Sequence, residues 1–363
     1  MILSLMLFFV VLGFVLDRWM DYLNNKNWNP ELPAEFDGYY SKEKYQKARN
    51  YDRDHEKVAR ISGTIQFIIT LIILLYGWFG ELDTYLHRFN LDAFLHVLAF
   101  FGIIMMASFL INLPFSLYNT FVLEEKYGFN KTTLRIFIFD KIKGSILSGL
   151  LGALVLYLFL WFYKEAGSYF WVYAWIIAIS FSLFFATFYT SVIVPLFNKI
   201  TPLESGSLRD KIEQLSNEVQ FKVDNIFVID GSRRSSKSNA YFSGLGGTKK
   251  IVLYDTLLEQ QEEEEIVAVL AHEIGHYKHK HIYKSMAIGV LQMGIIFYLL
   301  GLFIGNEAIA QALGGEQASF HLGLIGFMIL LTPINLLTGI FSAWYSRKNE
   351  YEADAFAAKN YHP

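Results

Sequence analysis

The stretch "AVLAHEIGHYKHKH", Ala268 to His281, sets His272 and His276 four residues apart with Glu273 directly after the first. On a helix, residues i and i+4 share a face, so two imidazoles can be presented to one ion, while Glu273 sits about 100° round, within reach of a water at that ion. With 9 histidines in 363 residues, chance produces H-E-x-x-H somewhere in such a chain on the order of once in a hundred. Cysteine is absent, so a further ligand must be His, Asp or Glu, and no disulfide framework exists.

Catalytic zinc normally takes three protein ligands and leaves a fourth position for water. The extended pattern with a third histidine on the same segment needs glycine at 279 and histidine at 282, where this chain has His279 and Ile282; that class is excluded. His279 and His281 read as ordinary interfacial side chains, since neither has the spacing of a third ligand. The other candidate segment is "SRKNEYEADAFA", Ser346 to Ala357. Glu350 and Asp354 are i and i+4 on a predicted helix and share a face. Glu350 can be the third ligand, with Asp354 accepting the second N–H of a ligating histidine and fixing its tautomer. Glu352 competes from another face, and a solvated juxtamembrane helix would carry the same charges.

The elements that must position these groups are mostly membrane helices. The chain is 53% hydrophobic and 17% aromatic with only 18% charged residues, well below the roughly 25% charged residues usual in soluble domains. A net charge of -3 suggests no nucleic-acid surface. Seven stretches are long enough to span a bilayer: approximately Ile2 to Leu16, Ile61 to Phe79, Ala93 to Val122, Ile146 to Tyr163, Tyr169 to Phe197, Met286 to Ile304 and Leu322 to Trp344. The first lacks a basic start and a small-residue cleavage site, and reads as a retained anchor. Pro114, Pro195 and Pro333 mark kink sites. His96, lying one turn inside the third span without an acidic partner nearby in sequence, reads with Asn112, Gln292 and Asn335 as polar glue between helices or the lining of a wet cavity. No intramembrane carboxylate suggests a proton-coupled transporter.

Between the spans, Lys and Arg number 9, 1, 5, 1, 12 and 0, with 3 in the tail. This alternation puts the first, third and fifth loops and the tail in the cytosol. The expected organisation is residues 1–197 as five spans with their loops, 198–282 as a cytosolic α+β domain carrying the motif, 283–345 as two more spans, and 346–363 as a cytosolic helix. Within the α+β domain, "SLRDKIEQLSNEVQ" reads as a helix and "NIFVI" as a strand. "SNAYFSGLGGTKKIVLYD" reads as a hairpin around a Gly-rich turn. Asp255 is placed as the cap of the motif helix, with Glu259 and Glu262 to Glu265 in its first turns. The motif helix is expected to continue into span six and span seven into the helix of Glu350, so the histidine pair and Glu350 both stand roughly 30 Å from the bilayer midplane, on the same side.

"AHEIGHYKHKH", "DGSRRSSKSNAYFSGLGGTKKIVLYDTLL" and "SRKNEYEADAFA", combined with seven spans, resemble the type I CAAX prenyl proteases, integral-membrane zinc metalloendopeptidases of the gluzincin type. The resemblance covers nearly the whole chain. It implies an α-helical membrane protein with seven transmembrane helices around a large water-filled chamber, capped by a small cytosolic α+β zinc-protease domain. Residue by residue, it makes His272, His276 and Glu350 the ligands of one zinc ion per chain, Glu273 the general base and Asp354 the outer partner of a ligand. It also implies that the strand around Asn239, Ala240 and Tyr241 pairs with substrate backbone beside the zinc. The implied partners are the lipid bilayer and a peptide or protein substrate, farnesylated or not, and no nucleic acid. The implied location is the bacterial cytoplasmic membrane or that of the endoplasmic reticulum.

Members of this family usually continue beyond the Glu-x-x-x-Asp helix into a segment with a histidine and an arginine that support the tetrahedral intermediate. Nine residues follow Asp354, and His362 is too close to Asp354 to match that histidine. The expectation is that this chain lacks that C-terminal segment and turns over slowly. Two other readings are a quality-control protease like the heat-shock protease HtpX, which has fewer spans and lacks the long first loop, and a chamber that holds clients without cutting them.

Overall fold

The computed structural model describes residues 1–29, 31–36, 38–221, 225–244 and 250–361. The chain begins with α1 (Ile2–Asn27), α2 (Lys42–Leu75), the short α3 (Trp78–His87), α4 (Ala93–Tyr118), α5 (Leu134–Glu165) and α6 (Phe170–Phe188). Strand β1 (Ile200–Pro202), α7 (Ser207–Glu218), β2 (Ile226–Ile229), β3 (Ala240–Ser243), β4 (Lys250–Tyr254), α8 (Asp255–Gln260) and α9 (Glu263–Lys278) follow. The chain then runs through α10 (His281–Phe303), α11 (Glu307–Ala312), α12 (Phe320–Leu330) and α13 (Thr332–Asn360). Among the described residues, six helical segments are long and apolar enough to cross a membrane, and the pair α12 and α13, bent by 51°, makes seven if taken as one broken span. Helices satisfy their own backbone groups, which hydrocarbon cannot do for them.

The prolines act where the ladder changes. Pro114 lies inside α4, which passes into a π-helix over Asn119–Glu124. Pro195 falls in a 3-10 turn after a second π-helix, Tyr189–Ile193. Pro333 is the second residue of α13, at the 51° bend, where its missing N–H would leave a longer helix unpaired.

The structure divides into two compact units. The first comprises residues 1–130, 147–171 and 298–337. Its buried cluster joins Met6, Leu74, Phe100, Ile309, Leu313 and Leu322. Inside a bilayer such contacts rest on packing and close backbone approach rather than on release of water. Gly80 provides that approach: its N–H donates to the Leu313 carbonyl at 2.9 Å, and a Cβ there would stand 1.9 Å from the Gly314 carbonyl carbon. Asp92 starts α4 by accepting from the N–H groups of Phe94 and Leu95.

The second unit comprises residues 131–146, 172–297 and 338–363. Its sheet has the order β1-β2-β4-β3, with β1 antiparallel to β2, β2 parallel to β4, and β3 antiparallel to β4. The hairpin and the "NIFVI" strand are thus present; β1, three residues long, lacks enough residues to show a period. The turn residues 245–249 lie outside the described residues. Strand β4 is buried on both faces: Ile251 and Leu253 join the cluster with Ile266, Leu270 and Ile274, while Val252 packs with Val194 and Ile229. Fully burying each such side chain contributes about 1.5–3 kcal/mol, so α9 is clamped to the sheet by three of them. Asp255 does not cap the motif helix. It opens the separate α8 and accepts from the Ser232 N–H at 2.8 Å, whereas Glu262 caps α9 in a reciprocal capping box with Glu265.

Candidate metal centre

His272, Glu273 and His276 ride on α9, and Glu350, Glu352 and Asp354 on α13. The helices meet at Gly275, the fourth residue of the motif. A Cβ there would stand 3.0 Å from the Cα and carbonyl oxygen of Ala353 and 3.1 Å from the Cβ of Phe356. Glycine therefore lets the two backbones approach closely enough to bring their polar side chains together.

Three atoms converge at that crossing. Nε2 of His272 and Nε2 of His276 are 3.1 Å apart, and Oε2 of Glu350 lies 3.4 Å from the first and 3.6 Å from the second. Bonds of about 2.05 Å in a tetrahedral sphere separate ligand atoms by roughly 3.3 Å. The triangle matches that spacing, so the residues fit a zinc ion with a fourth position left over. Outside the triangle, Nδ1 of His272 lies 2.8 Å from Oδ1 of Asp354. Burial holds the His276 imidazole below its usual pKa, towards the neutral form that binds metal.

Glu273 lines a cavity of about 610 Å³ together with His276, Glu350 and residues 241–244. Burial pushes its carboxyl above the usual range, with His272 opposing the rise and Glu350 adding to it. Of the three strand residues, Tyr241 lines the cavity, Ala240 is buried in the core, and Asn239 is exposed, its carbonyl accepting from the Tyr254 N–H. Strand β3 is the edge of its sheet.

His281 departs from the reading as an interfacial side chain. It is 3% exposed; its Nδ1 lies 3.0 Å from Nδ1 of His276, and its Nε2 lies 3.0 Å from Oε2 of Glu352. Glu352, on another face from Glu350, thus reaches the motif through His281. The motif helix also does not continue into the sixth span: α9 ends at Lys278, Lys280 takes φ of 58°, and α10 starts at His281. In an unbroken helix a spacing of five would turn His281 about 140° from His276; the left-handed residue swings it back. Lysine at a left-handed position carries no sequence signal, as glycine or asparagine would.

The third-span histidine also has a partner. Nε2 of His96 is 2.6 Å from Oδ1 of Asp83, 13 residues earlier, an acidic group on the preceding helix and outside the span itself.

An H-E-x-x-H pair joined by a carboxylate from a second helix, in a chain with six or seven apolar spans, defines a multi-pass membrane metallopeptidase. Comparison with known proteins narrows the class. Residues 21–199 match the family described as CAAX prenyl protease N-terminal, five membrane helices, and residues 202–362 match peptidase family M48. The CAAX prenyl protease 1 homolog of Oryza sativa subsp. japonica is 38% identical over 98% of this chain and 86% of its own length. CAAX prenyl protease 1 of Saccharomyces cerevisiae is 35% identical over 97% of this chain and 83% of its own. The crystal structure of S. mikatae Ste24p superposes with a TM-score of 0.91 at 34% identity, covering 99% of this chain and 88% of that one. The chain belongs to the CAAX prenyl protease family of M48 metallopeptidases.

Proposed function

We propose that this protein is a zinc endopeptidase that cuts near the C-terminus of prenylated, CAAX-type or other membrane-associated proteins, with His272, His276 and Glu350 holding the metal. The observation that carries the reading is the triangle of 3.1, 3.4 and 3.6 Å among their three donor atoms. A bound zinc ion would activate water and polarise the scissile carbonyl. Glu273 takes the water proton and returns it to the leaving amine. Asp354 keeps His272 in the tautomer that offers Nε2. The peptide lies extended against the outer edge of β3, its backbone pairing beside residues 239–241 while Tyr241 faces the cavity.

The membrane-associated substrate class is supported by the relatives named as CAAX prenyl proteases and by a site carried on the second helix of the bent apolar pair. The alternation of basic loops supports a zinc site on the cytosolic side, in the bacterial cytoplasmic membrane or that of the endoplasmic reticulum. Mass spectrometry of products from matched farnesylated and unmodified peptides, with and without a chelator, tests the reading. Chelator-sensitive cleavage near the C-terminus, faster with the farnesyl group, is expected. Absence of cleavage from both peptides at full zinc occupancy would favour a client-holding chamber instead.

A further inference from the structure

The first unit contains a second set of two histidines and one carboxylate. Asp83 comes from α3, His96 from the first turn of α4, and His321 from the first turn of α12. The three residues are 7%, 7% and 3% exposed. Their ligating atoms lie within 4.8 Å of one another: Oδ1 of Asp83 is 2.6 Å from Nε2 of His96 and 2.8 Å from Nε2 of His321. We propose that Asp83, His96 and His321 form a second metal site, taking a borderline divalent ion of the zinc class.

The residue types suit that ion. Two imidazoles and one carboxylate match the donor set offered by the first centre, and imidazole ligation favours zinc over calcium or magnesium, which take all-oxygen sites. The spacing suits it too. Both imidazole nitrogens close upon one carboxylate oxygen; bonds of about 2.05 Å to a shared ion would open those separations to roughly 3.3 Å, a movement of well under one ångström for each side chain. One ring is already steered: Phe100 packs 4.4 Å, centroid to centroid, from the imidazole of His321.

A cavity of about 530 Å³ lined by His87, Asn90, His96, Ser319 and His321 provides both an entry path and room for a fourth ligand. His87 stands beside the set: its Nδ1 is 3.5 Å from Oδ1 of Asp83 but hydrogen-bonds the Asp83 carbonyl at 2.8 Å, so it is an outer neighbour and not one of the three. Because the donors come from three separate helices, the ion would tie their ends together, a structural role that does not require it to take part in peptide cleavage.

Elemental analysis of the purified full chain, zinc-loaded and freed of loose metal, tests the site. Two zinc ions per chain are expected, one after His321→Gln, which keeps a side-chain amide near Asp83, and one after His272→Ala with Glu350→Ala. The two sites are separated by cobalt binding to the His272→Ala, Glu350→Ala variant. One cobalt ion with visible d–d absorption is expected, abolished by adding His96→Gln or His321→Gln, and peptide turnover should persist in His321→Gln alone. Equal zinc content in the wild type and His321→Gln, or no cobalt bound by the His272→Ala, Glu350→Ala variant, would overturn the proposal.

Discussion

Nδ1 of His272 lies 2.8 Å from Oδ1 of Asp354, a residue 82 positions later in the chain. The carboxylate accepts from Nδ1, which leaves Nε2 of His272 free to face His276 and Glu350. Asp354→Ala is expected to weaken zinc binding by about 10 to 100-fold without unfolding the chain, and Asp354→Asn to weaken it less. Competition with a chromogenic chelator measures both.

Glu350→Ala should release the ion, because it removes one vertex of the donor triangle. Glu352→Ala should loosen it, since Glu352 positions His281, whose Nδ1 in turn meets Nδ1 of His276; a drop of about tenfold is expected. Zinc content at equal protein concentration separates the two variants. Equal loss from both would refute the assignment of Glu350 over Glu352.

Glu273→Gln should keep its zinc and lose cleavage by about 100 to 10,000-fold, the usual contribution of a general base. The readout is turnover of a single farnesylated peptide at matched metal occupancy. A retained rate would shift the base to another group.

Gly275 controls how closely α9 and α13 pack. A valine there should destabilise the second unit by about 1–3 kcal/mol through overpacking and lower zinc affinity by moving Glu350 away from the histidines. Alanine should have the same effects more weakly, because its Cβ still meets backbone atoms of Ala353 at 3.0 Å. Thermal unfolding in detergent, with and without zinc, checks both variants.

The first loop and the metal site are expected on one side of the membrane. The chain has no cysteine, so single cysteines at Lys42 and Glu259, both exposed, can be labelled in sealed, oriented vesicles against no background. Opposite accessibility would break the topology drawn from the basic loops.

The sequence by itself determined what periodicity and composition can carry. Hydrocarbon length marks the apolar spans, because a helix must cover the bilayer with side chains that need no water. A spacing of four brings His272 and His276 to one face, and likewise Glu350 and Asp354, because 3.6 residues make a turn. Within one helix, such relations are local and readable.

Only the tertiary structure decided how helices meet. The approach of α9 to α13 depends on Gly275 against Ala353, and the return of His281 to His276 depends on a left-handed Lys280 that ends one helix and starts the next. The pairing of Asp83 with both His96 and His321 joins residues 13 and 238 positions apart, on three helices whose ends are brought together by packing. Periodicity relates residues on one axis. It carries no record of which axes will cross, and that is fixed by close packing at a few small residues and by breaks that most side chains disfavour.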